Sequence, residues 1–343
     1  MSVITIIGAG MMGSAMTFPA CDNGHTVRLV GTHLDAEIIK EASETGMHKT
    51  LKRMLPHGIA YYRFEDVKKA LDGADVVIGG VSSFGVEWFM QNILPIIPVH
   101  VPLLSITKGM INTEQGDLRT YPALYASCEA GKRLMLNAVG GPCTSYELAD
   151  RDPTEVCFCG DDIVVLRRLR DFFQTDYYHI SLSTDVTGVE CAVALKNAYA
   201  LGVTLAVGLS EKKDGMMHYN SQAALFGQGV KEMRRLLNLY CGGDEALYLG
   251  AGDLYVTVFG GRTRLIGTLL GQGMSFDEAM AQLQGVTLES IVIAKRTAAA
   301  ICTRAAEGSV ALEAFPLLMH IDALLSGRET VNIPWRAFAE ELG

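Results

Sequence analysis

Val3-Ile4-Thr5-Ile6-Ile7-Gly8-Ala9-Gly10-Met11-Met12-Gly13 opens the chain and decides its fold. The β-branched run Val3–Ile7 predicts a strand. Gly8-x-Gly10-x-x-Gly13 follows at once, then the small residues Ser14 and Ala15 of a predicted helix that Gly24 ends. Between a strand and a helix, glycines at these places allow a tight turn. They also let a dinucleotide's pyrophosphate approach backbone N–H groups at the helix N-terminus. Gly8, Gly10 and Gly13, with Met11 and Met12 between them, are therefore the predicted cofactor loop.

Outward from this loop, strands alternate with helices. Val27–Val30, Asp75–Ile78, Pro102–Ile106, Leu134–Val139 and Glu155–Cys159 read as strands, and Glu65–Leu71 and Trp88–Ile93 as helices. That alternation predicts an α/β domain, an N-terminal Rossmann, doubly wound, mostly parallel sheet. After about Thr184 the pattern changes to long helical segments at 188–209, 220–239, 275–283, 288–307 and 312–325. The expected division is a dinucleotide-binding domain over residues 1–183 and an all-α substrate and catalytic domain over 184–343.

At the end of the second strand the chain reads Val30-Gly31-Thr32-His33, and Asp35 comes slightly late. An acid at the strand end would select NAD by holding the ribose 2′-hydroxyl, and an arginine there would favour NADP. Neither stands at the strand end itself, so the sequence predicts NAD or NADP without choosing. Thr32 and His33 are the expected contacts.

A lysine inside an apolar helix carries the chemistry. From Cys191 to Leu209 nearly everything is apolar except Lys196, Asn197 and Thr204. A buried ammonium must lose hydration, find a partner or work with a lowered pKa, which suits proton transfer during alcohol oxidation or ketone reduction. Asp253, in Gly250-Ala251-Gly252-Asp253-Leu254, is a candidate partner. The alternative is an ion pair of Lys196 with Glu190 or Asp253 that only stitches the domain. Lys108, after a strand, is expected at the carboxyl end of the sheet, where ligands bind, or as a cap of that sheet end. Gly260-Gly261-Arg262-Thr263-Arg264 reads as a glycine turn offering N–H groups and guanidinium to an anion.

Composition bounds the rest. The net charge of −9 argues against broad binding to nucleic acid or membrane surfaces. The eight cysteines lack zinc spacing, and Cys157-Phe158-Cys159 is too tight for a metal hook, so no metal site is expected. No basic leader precedes the strand at Val3, which predicts a cytoplasmic protein with reduced thiols. The run Ala198–Leu209 is too short to span a bilayer. His179, His218 and His320 receive no ligand role. The apolar stretch Ala314–Met319 suggests an oligomer.

Taken in order, these segments resemble the soluble, NAD(P)-dependent glycerol-3-phosphate dehydrogenase family over nearly the whole chain. The resemblance rests on the glycine loop, Thr107-Lys108-Gly109, Gly141-Pro142 with Glu147-Leu148-Ala149, and Asp185-Val186-x-Gly188-Val189-Glu190. Its most specific parts are Ala194-Leu195-Lys196-Asn197 and Gly252-Asp253-Leu254-x-x-Thr257. It implies that Lys196, Asp253 and Asn197 are catalytic. Lys108, Gly141, Cys143, Arg262 and Thr263 would bind substrate, a phosphorylated three-carbon polyol or ketone. Lys108, Ser145, Arg262 and Gln284 would join the cofactor contacts. A homodimer serving glycerophospholipid metabolism is also implied.

The chain departs from the family's pattern at Gly261, Thr263, Cys143, Val81-Ser82-Ser83 and residues 110–127. Gly261, Thr263 and Cys143 are on the phosphate side, while the catalytic core matches. They leave open another small polyol, sugar phosphate or 2-keto acid (a 2-dehydropantoate reductase-like activity), and an NAD(P)-sensing protein without catalysis.

Overall fold

In the computed structural model, which describes residues 1–286 and 288–339, Val3–Ile7 is β1 of an eight-stranded sheet. β1 pairs in parallel with β2 (Thr26–Val30) on one side and β6 (Val76–Gly79) on the other, with Ile6 opposite both Leu29 and Ile78. β5 (Ala60–Tyr62) lies beyond β2. Beyond β6 come β7 (Leu103–Ser105), β10 (Leu136–Gly140), β11 (Thr154–Gly160) and β12 (Tyr178–Ser183). Within this sheet, among the described residues, only the β10–β11 pairing is antiparallel. Two small hairpins, β3–β4 (Met47–His48 and Arg53–Met54) and β8–β9 (Met110–Asn112 and Leu118–Thr120), stand outside the sheet.

The connections of this sheet carry α1 (Met11–Ala15), α2 (Thr17–Asp22), α3 (Ala36–Thr45), α4 (Val67–Leu71), α5 (Val86–Asn92), α6 (Tyr121–Ala126), α7 (Ser145–Ala149) and α8 (Ile163–Phe173). This is the mostly parallel Rossmann arrangement. From β1 the chain leaves first toward β2 and later returns on the other side as β6. Loops after β1 and β6 therefore diverge and open a crevice at their carboxyl ends. Ile4, Ile6, Val27, Leu29, Val76 and Ile78, alternate residues of β1, β2 and β6, are buried on one face of the sheet in the hydrophobic core.

The chain forms two compact units: Met1–Lys108 with Tyr121–Glu190, and Gly109–Thr120 with the chain from Cys191 onward. The change of unit falls inside α9 (Val186–Asp214). The second unit holds most of α9 and then α10 (Tyr219–Tyr240), α11 (Leu247–Phe259), α12 (Arg262–Gly271), α13 (Phe276–Gln282), α14 (Glu289–Ala306) and α15 (Pro316–Leu325). The β8–β9 hairpin belongs with them. Arg296 donates to the Met110 carbonyl at 2.8 Å, and Arg304 pairs with Asp117. The hairpin part of the segment where the chain departs from the family's pattern is thus held by two arginines of α14.

Two sequence readings change here. The helix read as 188–209 runs from Val186 to Asp214, its last turn the polar Ser210-Glu211-Lys212-Lys213-Asp214, giving α9 29 residues. By length and composition this helix could cross a membrane, but 89% of its most apolar window is buried inside the protein, as in a core helix. The stretch Ala314–Met319, expected at a subunit surface, is mostly interior: Phe315, Leu317 and Leu318 are buried. Glu232 reaches the start of α15 from within the core. It accepts the N–H groups of Leu317 and Leu318 at 2.8 and 3.0 Å, Gln228 Nε2 at 2.7 Å and the Tyr199 hydroxyl at 3.2 Å. Burial raises the Glu232 pKa, while these four donors oppose the rise.

Candidate active site

The glycine loop leaves no room for side chains at two of its three glycines. Gly8 has φ +111°, and a Cβ there would lie 2.5 Å from the Gly80 carbonyl oxygen. A Cβ on Gly13 would lie 2.1 Å from the Gly8 oxygen. Gly10 differs: a Cβ there meets nothing within 4 Å. The fold itself therefore demands Gly8 and Gly13, whereas Gly10 faces open space where a diphosphate can approach the backbone.

Ala9, between them, is held through both its backbone N–H and its carbonyl. Its N–H donates to Asp35 Oδ2 at 3.2 Å, and its carbonyl accepts from His48 Nε2 at 2.8 Å. Because Leu51 N–H donates to His48 Nδ1 at 3.0 Å, the ring carries its proton on Nε2. Asp35 also accepts the Thr32 N–H at 2.8 Å and its hydroxyl at 2.7 Å. The acid that looked late in the sequence is folded back onto the loop by the turn after β2. Sequence reasoning missed His48, which lies 39 residues from Ala9 and belongs to no motif.

A cavity of about 160 Å³ opens beside the loop, bordered by Gly8, Gly10, Thr32, His33, Val81 and Trp88. The His33 ring lies 5.0 Å from Trp88, which lies 5.1 Å from Phe64, so an aromatic shelf adjoins Thr32. α7 packs against α1, with the Tyr146 hydroxyl 3.4 Å from Met11 Sδ, and Ser145 is buried at the first position of α7. Met11 and Met12 lean on the hydrophobic core. The glycine cradle, the open face at Gly10 and the aromatic shelf suit a dinucleotide.

At the carboxyl edge of the same sheet, Lys108 follows β7 and donates to the Gly141 carbonyl at 2.6 Å. Gly141, with φ +109°, follows β10, and Cys143 is half-buried against the core. Glu190 is fully buried. Burial pushes its pKa up to about 8, and the positive charge of Lys108 opposes the rise.

In the second unit, Lys196 on α9 forms a hydrogen-bonded ion pair with Asp253 on α11, their side chains 13% and 2% exposed. Of the two carboxylates considered from sequence, the fold selects Asp253. Glu190 lies six residues before Lys196, about 240° around the helix. Glycine explains the approach of the two helices: a Cβ on Gly250 would lie 2.6 Å from the Ala192 carbonyl oxygen. Gly250 is one turn before Asp253, and Ala192 is one turn before Lys196, so this contact brings the pair together. Thr257 hydroxyl donates to the Asp253 carbonyl at 2.7 Å and stiffens that turn. Asn197 is buried beside them in sequence.

Gly250→Ala should therefore push α11 from α9. We expect a loss of about 1–3 kcal/mol in stability and a lower kcat, though no reacting group is altered. Denaturant melts and steady-state rates check both, and unchanged values would refute the role of this contact.

The predicted glycine turn is shorter than expected. Gly261, φ +88°, is only the cap of α12, and Arg262 begins the helix. Arg262 is exposed and Thr263 buried. Arg264 donates to the Val258 carbonyl at 3.2 Å, which engages it in the α11–α12 corner. Gln284 is exposed in the turn after α13.

Known proteins similar to this chain cover nearly its whole length. Residues 3–163 match the profile of the NAD-dependent glycerol-3-phosphate dehydrogenase N-terminus, and residues 185–334 match that of its C-terminus. The NADP(+)-dependent glycerol-3-phosphate dehydrogenase of Archaeoglobus fulgidus is 35% identical over 82% of this chain and 84% of its own length. The glycerol-3-phosphate dehydrogenase [NAD(P)+] of Koribacter versatilis is 30% identical over 85% of each. A crystal structure of glycerol-3-phosphate dehydrogenase from Coxiella burnetii shares the fold, with a TM-score of 0.80 at 24% identity, covering 98% of this chain and 97% of that one. The chain belongs to the NAD-dependent glycerol-3-phosphate dehydrogenase family.

Proposed function

We propose that this chain transfers hydride between NAD or NADP and a small phosphorylated ketone, interconverting dihydroxyacetone phosphate and sn-glycerol 3-phosphate. The observation that carries the reading is the Lys196–Asp253 pair, its lysine set in the apolar stretch of α9, in a chain from this family. When bound, the nicotinamide supplies or accepts the hydride.

The protein's own residues manage the proton and the substrate. Lys196 Nζ gives a proton to the ketone oxygen during reduction and takes it from the hydroxyl during oxidation. Asp253 aims the ammonium and balances its charge, and Asn197 lies beside it in the chain. Lys108, Gly141, Cys143, Arg262 and Thr263 hold the substrate, Arg262 offering a guanidinium beside the unpaired N–H groups that open a helix. Gly8, Gly10, Met11, Met12 and Gly13 hold the diphosphate. Thr32, His33, Lys108, Ser145, Arg262 and Gln284 complete the cofactor contacts.

A panel of phosphorylated and unphosphorylated ketones, each with NADH and NADPH, tests the proposal. Turnover should be fastest with dihydroxyacetone phosphate. Faster turnover of 2-dehydropantoate, or cofactor binding with no turnover at all, would overturn the assignment. Neither of those alternatives is favoured, since both family matches are to glycerol-3-phosphate dehydrogenase.

The same reading places the enzyme in the cytoplasm, in glycerophospholipid metabolism, as a homodimer. All eight cysteines are free thiols, which suits a reducing compartment. The dimer is supported by an exposed apolar surface on α11 and α12, formed by Tyr255, Phe259 and Leu265. Light scattering reads the mass: a value of one chain would remove the dimer.

A further inference from the structure

Glu190 is fully buried, and neither carboxylate oxygen has a hydrogen-bond partner among the described residues. Glu232 is equally buried, yet four donors satisfy it. A carboxyl group stripped of water and donors weakens a fold relative to an apolar side chain of similar size. Its place in the molecule calls for another account.

The titratable groups that sense Glu190 are Lys108 after β7, Tyr125 on α6 and Cys159 on β11. Cys157 and Asp185 act in turn on Cys159. Burial holds Tyr125 and Cys159 well above their usual range, so both stay neutral at ordinary pH. Lys108 is the positive charge that lowers the pKa of Glu190.

We propose that Glu190 is a positioning residue that acts through Lys108. Uncharged, it leaves the Lys108 ammonium on the Gly141 carbonyl and available to an anionic substrate. Ionised, with its proton released to solvent, it draws that ammonium toward itself and weakens substrate capture. The inference rests on the proposed role of Lys108 in holding substrate. With its pKa pushed up to about 8, the carboxyl changes state just above neutral pH.

The first test measures KM and kcat for dihydroxyacetone phosphate across this range at saturating cofactor. In the wild type, KM should rise about tenfold above pH 8, with kcat little changed. In Glu190→Gln the alkaline rise should disappear. A Glu190→Gln profile that keeps the wild-type rise would overturn the proposal.

The second test needs no activity. The folded pKa of Glu190 lies above its ordinary 4.5, so the folded state holds this proton more tightly. Its contribution to stability is fully present below about pH 4.5 and lost as pH rises through about 8. Melting of the cofactor-free wild type should therefore fall relative to Glu190→Gln between those limits. In Lys108→Met, which removes the opposing charge, the fall should extend to higher pH. This arm stands even where Glu190→Gln fails to fold. An unchanged pH dependence of melting in Lys108→Met would overturn the coupling. Absence of turnover with a shifted melting profile would instead count against the substrate reading alone.

Discussion

Lys196→Met loses about 10³-fold in kcat while its affinity for reduced cofactor stays within about twofold of the wild type. Two physical effects must be separated in this variant. Removing the ammonium eliminates the group that moves the proton. It also takes the Lys196 cation away from the buried Asp253 carboxylate, which destabilises by about 3–5 kcal/mol. Lys196→Met/Asp253→Asn should restore much of the stability, because both charges of the buried pair are then removed together, but none of the turnover. Thermal melts and kcat measured well below the melting temperature separate the effects. A double variant that regains activity along with stability would reduce Lys196 to the stitching ion pair considered from sequence.

The second large effect concerns the glycine loop, where three glycines of one motif should respond differently. Gly13→Ala places a methyl 2.1 Å from the Gly8 carbonyl oxygen, a backbone atom that cannot move aside cheaply. The turn must deform, and both stability and cofactor binding should fall. Gly8→Ala adds strain at φ +111° to a 2.5 Å clash with Gly80. Gly10→Ala is the informative case. Its φ of −69° suits alanine and its surroundings are empty, so melting should stay within about 0.5 kcal/mol of wild type. Cofactor affinity should nevertheless fall at least about tenfold, because the methyl stands where the diphosphate approaches. Calorimetry with NADPH and NADH reads this directly. Wild-type affinity in Gly10→Ala would mean that the cofactor does not lie on this loop.

These two sites show what was legible in the sequence. The strand, glycine loop and helix declare themselves locally, and so does a lysine set among alanine, valine and leucine. The Asp253 partner was legible as a candidate, but its selection over Glu190 depended on helix phase and on Gly250 admitting α11 to the backbone of α9. The helix α12 was hidden because Gly260-Gly261 read as a turn, although Gly261 only caps the helix, and α11 was not read as a helix because Gly250 and Gly252, of which Gly250 serves close packing, weaken a helical pattern. Asp35 and His48 escaped notice for a different reason. Their roles toward Ala9 are made by a turn and a hairpin that bring distant residues back, with no periodicity to announce them. The stretch Ala314–Met319 misled because an apolar run looks the same whether it faces a core or a partner.

The most direct test of the central claim is isotopic. The chain is incubated with dihydroxyacetone phosphate and reduced cofactor carrying deuterium at both C4 positions of the nicotinamide, and the product is examined by mass and NMR. The account predicts sn-glycerol 3-phosphate bearing one deuterium on the former ketone carbon, formed by the wild type and not by Lys196→Met. Unlabelled glycerol phosphate, or no reduction of the ketone by the wild type with either cofactor, would contradict it.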